Sequence, residues 1–172
     1  MYQLRLSGSG GQGVITAAII FAEAAVTAGF NAVQSQSYGP EARGGASKAE
    51  VIISENPIFH PHVDTPDFLL ALTQKAADKY FHDLNPDGTM IIDSDLVPNP
   101  PQVKNIISLP VTNFAVEKIG KALFTNVVAL GALVKVTNFL EFDAVKNALA
   151  SRVPPSTVEQ NIAALKLGFG SV

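Results

Sequence analysis

Four glycines near the amino terminus could bind an anion through the backbone. Residues 8–13 read Gly-Ser-Gly-Gly-Gln-Gly, which gives Gly8, Gly10 and Gly13 the G-x-G-x-x-G spacing and adds Gly11. A short strand precedes this stretch, and a helix rich in alanine and isoleucine follows it. Such a turn directs free N–H groups and the positive end of the helix dipole to one point. The pattern predicts an anion site, and phosphate is the usual anion.

A second glycine-rich loop, residues 38–47, follows the next predicted strand. Pro40 stiffens this loop, Gly44 and its neighbours let it bend, and Arg43 offers a planar guanidinium. In a doubly wound sheet, this loop and the glycine loop (residues 8–13) would face one crevice. Arg43 could then help to hold a phosphate or carboxylate. The alternative is an ordinary turn with a surface pair between Glu41 and Arg43.

The elements that must position these loops alternate between strand and helix over the first two-thirds of the chain, and only helices follow. The predicted strands are residues 2–7, 31–37, 47–54, 67–72, 89–93 and 103–109. The predicted helices are residues 14–28, 73–84, 111–119, 126–138, 141–151 and 156–167, with Thr73 and Ser156 as caps and with Gly168 and Gly170 ending the last one. This order predicts an α/β fold, a three-layer α/β/α sandwich with a mostly parallel, Rossmann-like sheet and a helical C-terminal part. We expect residues 1–172 to form one domain.

A dinucleotide site is the first hypothesis for this glycine spacing. It requires an acidic residue at the end of the second strand to hold the ribose 2′-hydroxyl. Residues 33–37 read Val-Gln-Ser-Gln-Ser, and no Arg for a 2′-phosphate occurs before Arg43. NAD and FAD are therefore disfavoured. Two interpretations stay open: a site for another phosphate-bearing ligand, or a packing turn without a ligand.

Composition narrows the class of protein. The chain of 172 residues has a net charge of −3, which argues against a nucleic-acid partner. Only 16% of the residues are charged, against about a quarter in soluble domains, which indicates either buried subunit interfaces or a large core. The chain has no cysteine, so it cannot ligate an iron–sulfur cluster through thiolates. We expect a cytoplasmic protein without a membrane span.

Two further clusters carry polar side chains that could bind a metal. His60, His62 and Asp64 could ligate zinc or iron, although a solvated loop is the better interpretation of a proline-rich segment. Asp93 and Asp95 follow a strand and could bind magnesium, although a turn with local hydrogen bonds is commoner. No catalytic set of residues can be read from linear spacing.

Taken together, the two glycine-rich stretches resemble a known family. Residues 8–14 (Gly-Ser-Gly-Gly-Gln-Gly-Val) and residues 37–45 (Ser-Tyr-Gly-Pro-Glu-Ala-Arg-Gly-Gly), with a strand beginning near Ser47, resemble the gamma subunits of the 2-oxoacid:ferredoxin oxidoreductases. The second stretch is most similar to the members that act on 2-oxoglutarate. The resemblance extends over nearly the whole chain, but its specific motifs lie within residues 8–54.

The resemblance implies an enzyme complex with alpha, beta and delta subunits as partners. The complex would oxidatively decarboxylate a 2-oxoacid on thiamine diphosphate, pass electrons through iron–sulfur clusters to ferredoxin, and transfer the acyl group to coenzyme A. Thiamine diphosphate and the clusters would belong to the partner subunits. This chain would be an accessory subunit, inactive alone, that helps to bind coenzyme A. The residues that the resemblance and the anion site suggest for this are Gly8, Gly10, Gly11, Gln12, Gly13, Arg43 and Gly44.

Three alternatives remain at this point. The chain could belong to a complex that acts on pyruvate, a branched-chain 2-oxoacid or indolepyruvate. It could be a stand-alone nucleotide-binding protein. It could also be a regulatory or structural interaction domain with an empty glycine turn.

Overall fold

One six-stranded sheet organises the residues that the computed structural model describes, which are 1–37 and 46–172. The strand order is β2–β3–β1–β4–β5–β6. The strands are β1 (Tyr2–Ser9), β2 (Asn31–Ser37), β3 (Ala46–Ser54), β4 (Phe68–Ala71), β5 (Thr89–Asp93) and β6 (Asn105–Leu109). Strands β1, β4, β5 and β6 are parallel neighbours, whereas β3 runs antiparallel to both β1 and β2. The predicted α/β fold is confirmed, and β3 makes the sheet mixed.

Helices cover the two faces of the sheet unequally. They are α1 (Val14–Thr27), α2 (Gln74–Tyr80), α3 (Val111–Phe114), α4 (Thr125–Thr137), α5 (Phe142–Arg152) and α6 (Val158–Phe169). Leu4 and Leu6 of β1 point into the larger core, which α1, α4, α5 and α6 complete. The opposite face packs mainly on α2 through a smaller core around Leu69 and Met90. The alternation of side chains along the strands thus separates two cores.

Helix α4 lies at the centre of the larger core. Its apolar residues spread around most of the helix, which predicts burial on more than one side. Every residue from Thr125 to Val134 is buried, so this prediction is confirmed. It packs on α6 through two glycines. An added Cβ at Gly131 would lie 2.1 Å from the Leu165 carbonyl oxygen, and one at Gly168 would lie 1.8 Å from the Val128 carbonyl oxygen. The two helices are therefore in backbone contact.

A buried arginine lies on the face of the sheet that carries the smaller core. Arg5 is only 3% exposed, and its Nε donates to Glu50 Oε1 at 2.7 Å while its Nη2 donates to the Val63 carbonyl oxygen at 3.0 Å. Asp83 accepts from Nη1, and Lys48 also pairs with Glu50. These partners satisfy the guanidinium, which is what allows a charge to be buried.

Most of the residues that the sequence predicts at helix ends take those positions, but Ser156 and Gly168 do not. Thr73 caps α2 by accepting from the Ala76 N–H at 3.3 Å, and Gly29, with φ of 91°, follows the end of α1. Ser156 was predicted to cap the last helix, but it lies inside a 3₁₀ turn and no side chain caps α6. Gly168 was predicted to end that helix, but it lies within α6, where contact with α4 requires a glycine.

The predicted helix over residues 111–119 is two short segments. An α-helical turn, Val111–Phe114, continues into a single π-helical turn, Ala115–Ile119, and Gly120 with φ of 96° ends it. Within residues 1–37 and 46–172, none of the helices has the length and apolar character that a membrane crossing needs.

Candidate functional site

The glycine loop connects β1 to α1 through a turn that only glycines adopt easily. Gly11 has φ of 89° and Gly13 has φ of 74°, both in the region that side chains disfavour. The Gln12 N–H donates to the Ser9 carbonyl oxygen at 3.2 Å, which closes the turn. The Gln12 side chain folds back, and its Oε1 accepts from the Ser9 N–H at 2.7 Å. The loop is therefore held by its own hydrogen bonds.

The first turn of α1 presents free donors beside this loop. Gly13 is the N-cap and has no side chain, so no side-chain hydrogen bond caps the helix. The N–H groups of residues 14–16 have no acceptor within the helix, whereas the Ala17 N–H already donates to the Gly13 carbonyl oxygen at 3.1 Å. No acidic residue occupies the first turn. The predicted arrangement of donors at a helix N-terminus is present.

An open cavity of about 340 Å³ lies against these donors. We call it the loop cavity; its lining is Ser9, Gly10, Gly11, Gly13, Val14, Ile15, Thr16 and Ser47. None of these residues is charged, so only backbone and hydroxyl groups are available to a ligand from this part of the chain. An added Cβ at Gly10 or Gly11 would meet no atom of the described residues within 4 Å. The loop glycines therefore leave space in front of the helix N-terminus.

The antiparallel strand β3 begins beside the glycine loop. Ala46, at the start of β3, is paired with Ser9, and Ser47 is paired with Gly8. The Ser47 hydroxyl also contacts the Gly8 carbonyl oxygen at 3.3 Å. The candidate residues Arg43 and Gly44 lie outside the described residues. Their position relative to the loop cavity remains a prediction.

The same topology argues against a dinucleotide site. In a dinucleotide-binding fold the acidic residue stands on the strand next to the first one. Here β3 separates β2 from β1, so β2 lies two strand spacings, roughly 10 Å, from the strand that carries the glycine loop. Ser37, the last residue of β2, is also not acidic.

The predicted site residues that the structure describes do not all line the loop cavity. Gly10, Gly11 and Gly13 lie together on the loop cavity. Gly8 lies in β1, where an added Cβ would come within 2.5 Å of Gln12 Oε1, so its small size serves packing. Gln12 uses its side chain inside the loop and lines a different cavity.

That second cavity, about 300 Å³, lies between the glycine loop, the start of α4 and the junction of α5 with α6. We call it the helical cavity. Asn126 is 9% exposed and donates through Nδ2 to the Gly13 carbonyl oxygen at 3.2 Å, and Asn161 is 6% exposed. Both line the cavity, and the sequence analysis overlooked both. Asn126 could have been noticed, because an amide at the start of an otherwise apolar helix must find a partner.

The Asp93–Asp95 cluster has a structural role in the described residues. Asp93 is fully buried, and its Oδ2 accepts from the Thr112 hydroxyl at 2.5 Å and from the Thr112 N–H at 3.2 Å. Asp95 accepts from the Asn113 N–H at 2.8 Å. Burial raises the pKa of the Asp93 carboxyl, although the hydrogen bonds from Thr112 oppose that shift. Both carboxylates thus fix the start of α3 through bonds between distant parts of the chain. The local turn that the sequence predicted is also present, because the Asp95 N–H donates to Asp93 Oδ1 at 3.1 Å.

The histidine motif does not form a metal centre in the described part of the chain. The rings of His60 and His62 contact each other edge to face, with centroids 5.7 Å apart, and both residues are exposed. Across residues 1–37 and 46–172, no three His, Cys, Asp or Glu side chains are grouped so that they could hold a metal ion.

Comparison with known proteins gives consistent results. The family model described as pyruvate ferredoxin/flavodoxin oxidoreductase matches residues 3–171. The 2-oxoglutarate synthase subunit KorC of Methanocaldococcus jannaschii is 44% identical over 171 residues, which cover 97% of this chain and 91% of that protein.

Solved structures support the same fold. The keto/oxoacid ferredoxin oxidoreductase gamma subunit from Geobacter sulfurreducens is 47% identical, with a TM-score of 0.90, over 99% of this chain and 97% of that one. A 2-oxoglutarate:ferredoxin oxidoreductase from Magnetococcus marinus, solved with 2-oxoglutarate, coenzyme A and succinyl-CoA bound, has a TM-score of 0.87 at 21% identity. The match covers 98% of this chain and 30% of that longer one, so the same fold occurs there within a larger polypeptide.

Proposed function

Because the chain belongs to the pyruvate ferredoxin/flavodoxin oxidoreductase family, we propose that it is the accessory gamma subunit of a 2-oxoglutarate:ferredoxin oxidoreductase. The complex would convert 2-oxoglutarate, coenzyme A and oxidised ferredoxin into succinyl-CoA, carbon dioxide and reduced ferredoxin. The observation that carries the proposal is 44% identity to a 2-oxoglutarate synthase subunit over almost the full length of both proteins.

The proposal assigns the redox chemistry to other subunits. The chain has no cysteine and therefore offers no thiolate to an iron–sulfur cluster. Alpha, beta and delta subunits would hold thiamine diphosphate and the clusters, and ferredoxin would receive the electrons. The proposed assembly acts in the cytoplasm, and it uses residues 1–172 as one domain, an arrangement that a single continuous sheet supports.

Coenzyme A is the ligand that we propose for the loop cavity. Its phosphate groups match the free N–H groups at the start of α1 and the positive end of the helix dipole. The lining residues fit such a group, because none is acidic and because Gly10 and Gly11 leave room for a close approach. When bound, coenzyme A supplies the thiol that accepts the acyl group.

In this proposal the chain binds and orients coenzyme A and performs no bond-making step. The backbone of Gly10, Gly11 and Gly13, with the N–H groups that follow, would hold a phosphate. Gly8 and Gln12 would keep the loop in shape, since the Gln12 side chain already bonds to Ser9. Arg43, with Gly44 beside it, would add a cation that the described lining does not contain.

The decisive experiment is to purify a tagged version of this chain with its native partners, without oxygen. We expect thiamine-binding and cluster-binding chains to copurify, and the complex to reduce ferredoxin with 2-oxoglutarate only when coenzyme A is present. Pyruvate, branched-chain 2-oxoacids and indolepyruvate serve as competing substrates. A complex that prefers one of these would refute the proposed substrate, and recovery of this chain alone would refute the proposed subunit role.

The coenzyme A site needs a separate test, since the complex could be correct and the site wrong. Arg43→Ala in the complex should raise the KM for coenzyme A by roughly tenfold, as expected when a charge-assisted hydrogen bond is lost. The KM for 2-oxoglutarate should stay unchanged. Arg152→Ala is the matched control, because Arg152 pairs with Glu23 on α1 away from the loop cavity. Equal kinetic constants for Arg43→Ala and the native complex would exclude Arg43 from the site.

A further inference from the structure

The helical cavity contains two buried amides whose orientation is fixed. Asn126 Nδ2 faces the Gly13 carbonyl oxygen at 3.2 Å, and Asn161 Nδ2 faces the Thr157 carbonyl oxygen at 2.9 Å. A carbonyl can only accept, so the nitrogen of each amide must be the atom that faces it. The Oδ1 atoms of Asn126 and Asn161 therefore point away from these carbonyls as fixed acceptors.

Neither Oδ1 atom receives a hydrogen bond from residues 1–37 or 46–172. Asn126 and Asn161 are each more than nine-tenths buried as whole residues. Their Oδ1 atoms lack a partner among the described residues but are not fully enclosed. Both residues line the helical cavity, so their free oxygens border its space. Both oxygens are therefore open to the cavity, and two fixed acceptors at one cavity can bind a group that brings its own donors.

The rest of the lining limits the charge of that donor. The described wall contains no acidic or basic side chain, and its other members are glycines, a glutamine, two threonines and apolar residues. The apolar part includes Ile20, Phe124, Val127 and Leu149, all of them buried. An ionic group entering this space would lose hydration without gaining a counter-charge. An uncharged group with an apolar body would lose little.

We propose that the helical cavity is a binding site for an uncharged group that presents N–H donors on a compact aliphatic body, such as a carboxamide. The donors would bond to Asn126 Oδ1 and Asn161 Oδ1, and the body would pack on the apolar wall. Two sources share this chemistry. The group could be a separate neutral molecule, or it could be the neutral part of a ligand whose phosphates occupy the loop cavity, because both cavities share Gly11, Gly13 and Thr16. The second source rests on the proposed function.

A pair of matched probes tests the chemistry directly. Pentanamide and pentanoate have the same aliphatic body, but pentanoate is charged and lacks N–H donors. In titrations of the ¹⁵N-labelled full chain, pentanamide should give saturable shifts of the Asn126 and Asn161 side-chain amide signals. It should bind roughly tenfold tighter than pentanoate, since burial disfavours the charge. Equal binding of the two probes, or no saturable shift with pentanamide, would overturn the proposal.

Two variants then locate the binding. Val153→Phe should fill the cavity and abolish the pentanamide shifts, whereas Val116→Phe, on an exposed turn outside the cavity, should leave them unchanged. If Val153→Phe fails to fold, Asn161→Ala replaces it. That variant should weaken binding about fivefold through the loss of one hydrogen bond. Undiminished binding by the folded variant would exclude this cavity.

Coenzyme A distinguishes the two sources. If it shifts the signals of both cavities and competes with pentanamide, the neutral group belongs to the same ligand. If it shifts the loop cavity alone, the site takes a separate neutral molecule. If it shifts neither cavity, the proposed coenzyme A role of this chain fails, whereas saturable pentanamide binding would still support the helical cavity as a site.

Discussion

Glycines serve opposite purposes in the glycine loop and in the contact between α4 and α6. An added Cβ at Gly10 or Gly11 would meet no atom of residues 1–37 or 46–172 within 4 Å, whereas one at Gly131 or Gly168 would overlap the backbone of the facing helix. The helix glycines permit packing, and the loop glycines leave space unfilled. Packing therefore explains Gly131 and Gly168 completely. Gly10 and Gly11 need either a backbone reason or an occupant from outside the described residues, and φ supplies the backbone reason only for Gly11.

The largest effect should come from the helix contact. Gly168→Ala must separate α4 from α6, because its Cβ would lie 1.8 Å from the Val128 carbonyl oxygen. We expect the free energy of unfolding, measured with urea, to fall by about 3 kcal/mol or more. Gly170→Ala is the matched control, since its Cβ would lie 3.4 Å from the Lys166 carbonyl oxygen, an ordinary contact. A loss for Gly168→Ala as small as that of the control would contradict the packing role.

Gly13 combines both kinds of constraint. Gly13→Ala would place a Cβ at φ of 74° and 2.5 Å from Asn126 Nδ2. We expect a loss of stability of about 1–3 kcal/mol from the strained backbone and the displaced amide. The double variant with Asn126→Ala should recover the steric part and keep the strain, so a double-mutant cycle separates the two. Strictly additive losses would show that the amide does not restrain this glycine.

Gly11 should show backbone strain without a clash. Gly11→Ala is expected to lose about 1–2 kcal/mol, the cost of a left-handed conformation for a residue with a side chain. Gly29→Ala is its match, because Gly29 has φ of 91° and an equally open Cβ position. The two variants should lose similar stability, but only Gly11→Ala should weaken coenzyme A binding in the complex. Equal binding by both would remove Gly11 from the proposed site.

Gly10 gives the smallest effect on stability and the clearest test of function. A Cβ at Gly10 would have no neighbour in the described part of the chain, and its backbone is not left-handed, so Gly10→Ala should change the free energy of unfolding by less than about 0.5 kcal/mol. If a ligand occupies the loop cavity, the same variant should raise the KM for coenzyme A, and the bulkier Gly10→Val should raise it further. Unchanged kinetics in both variants would leave the loop as a packing turn.

Local patterns in the sequence predicted most of the fold. Strand β5 and the start of α1 follow directly from apolar periodicity and glycine placement, and β2 was bounded correctly even though it is polar. The position of β3 between β1 and β2 could not be predicted, because strand order depends on long-range pairing that no local pattern records. Gly168 was misread for a related reason, since a glycine that ends a helix and a glycine that contacts another helix look the same in one dimension.

The candidate site was predictable only where its residues are adjacent in the chain. The glycine loop could be predicted because turn, donors and helix all fall within residues 8–16. Asn126 bonds to the same loop from 113 residues away, and Asn161, further along the chain, lines the cavity beside that loop, so their convergence is visible only in the fold. The roles of Arg43 and Gly44 stay predictions, since they lie outside the described residues.

The burial of every residue from Thr125 to Val134 of α4 gives this protein an internal reference for amide hydrogen exchange. Amides enclosed on every side exchange with deuterium only when the whole fold opens, so the segment from Thr125 to Val134 reports global stability. The N–H groups of residues 14–16 have no acceptor within α1, so we expect them to exchange faster than those of the buried segment. A ligand in the loop cavity would slow exchange of residues 14–16 by shielding their amides directly. It would slow exchange of the segment from Thr125 to Val134 only by stabilising the whole fold. Deuterium uptake in one sample could thus separate binding from stabilisation.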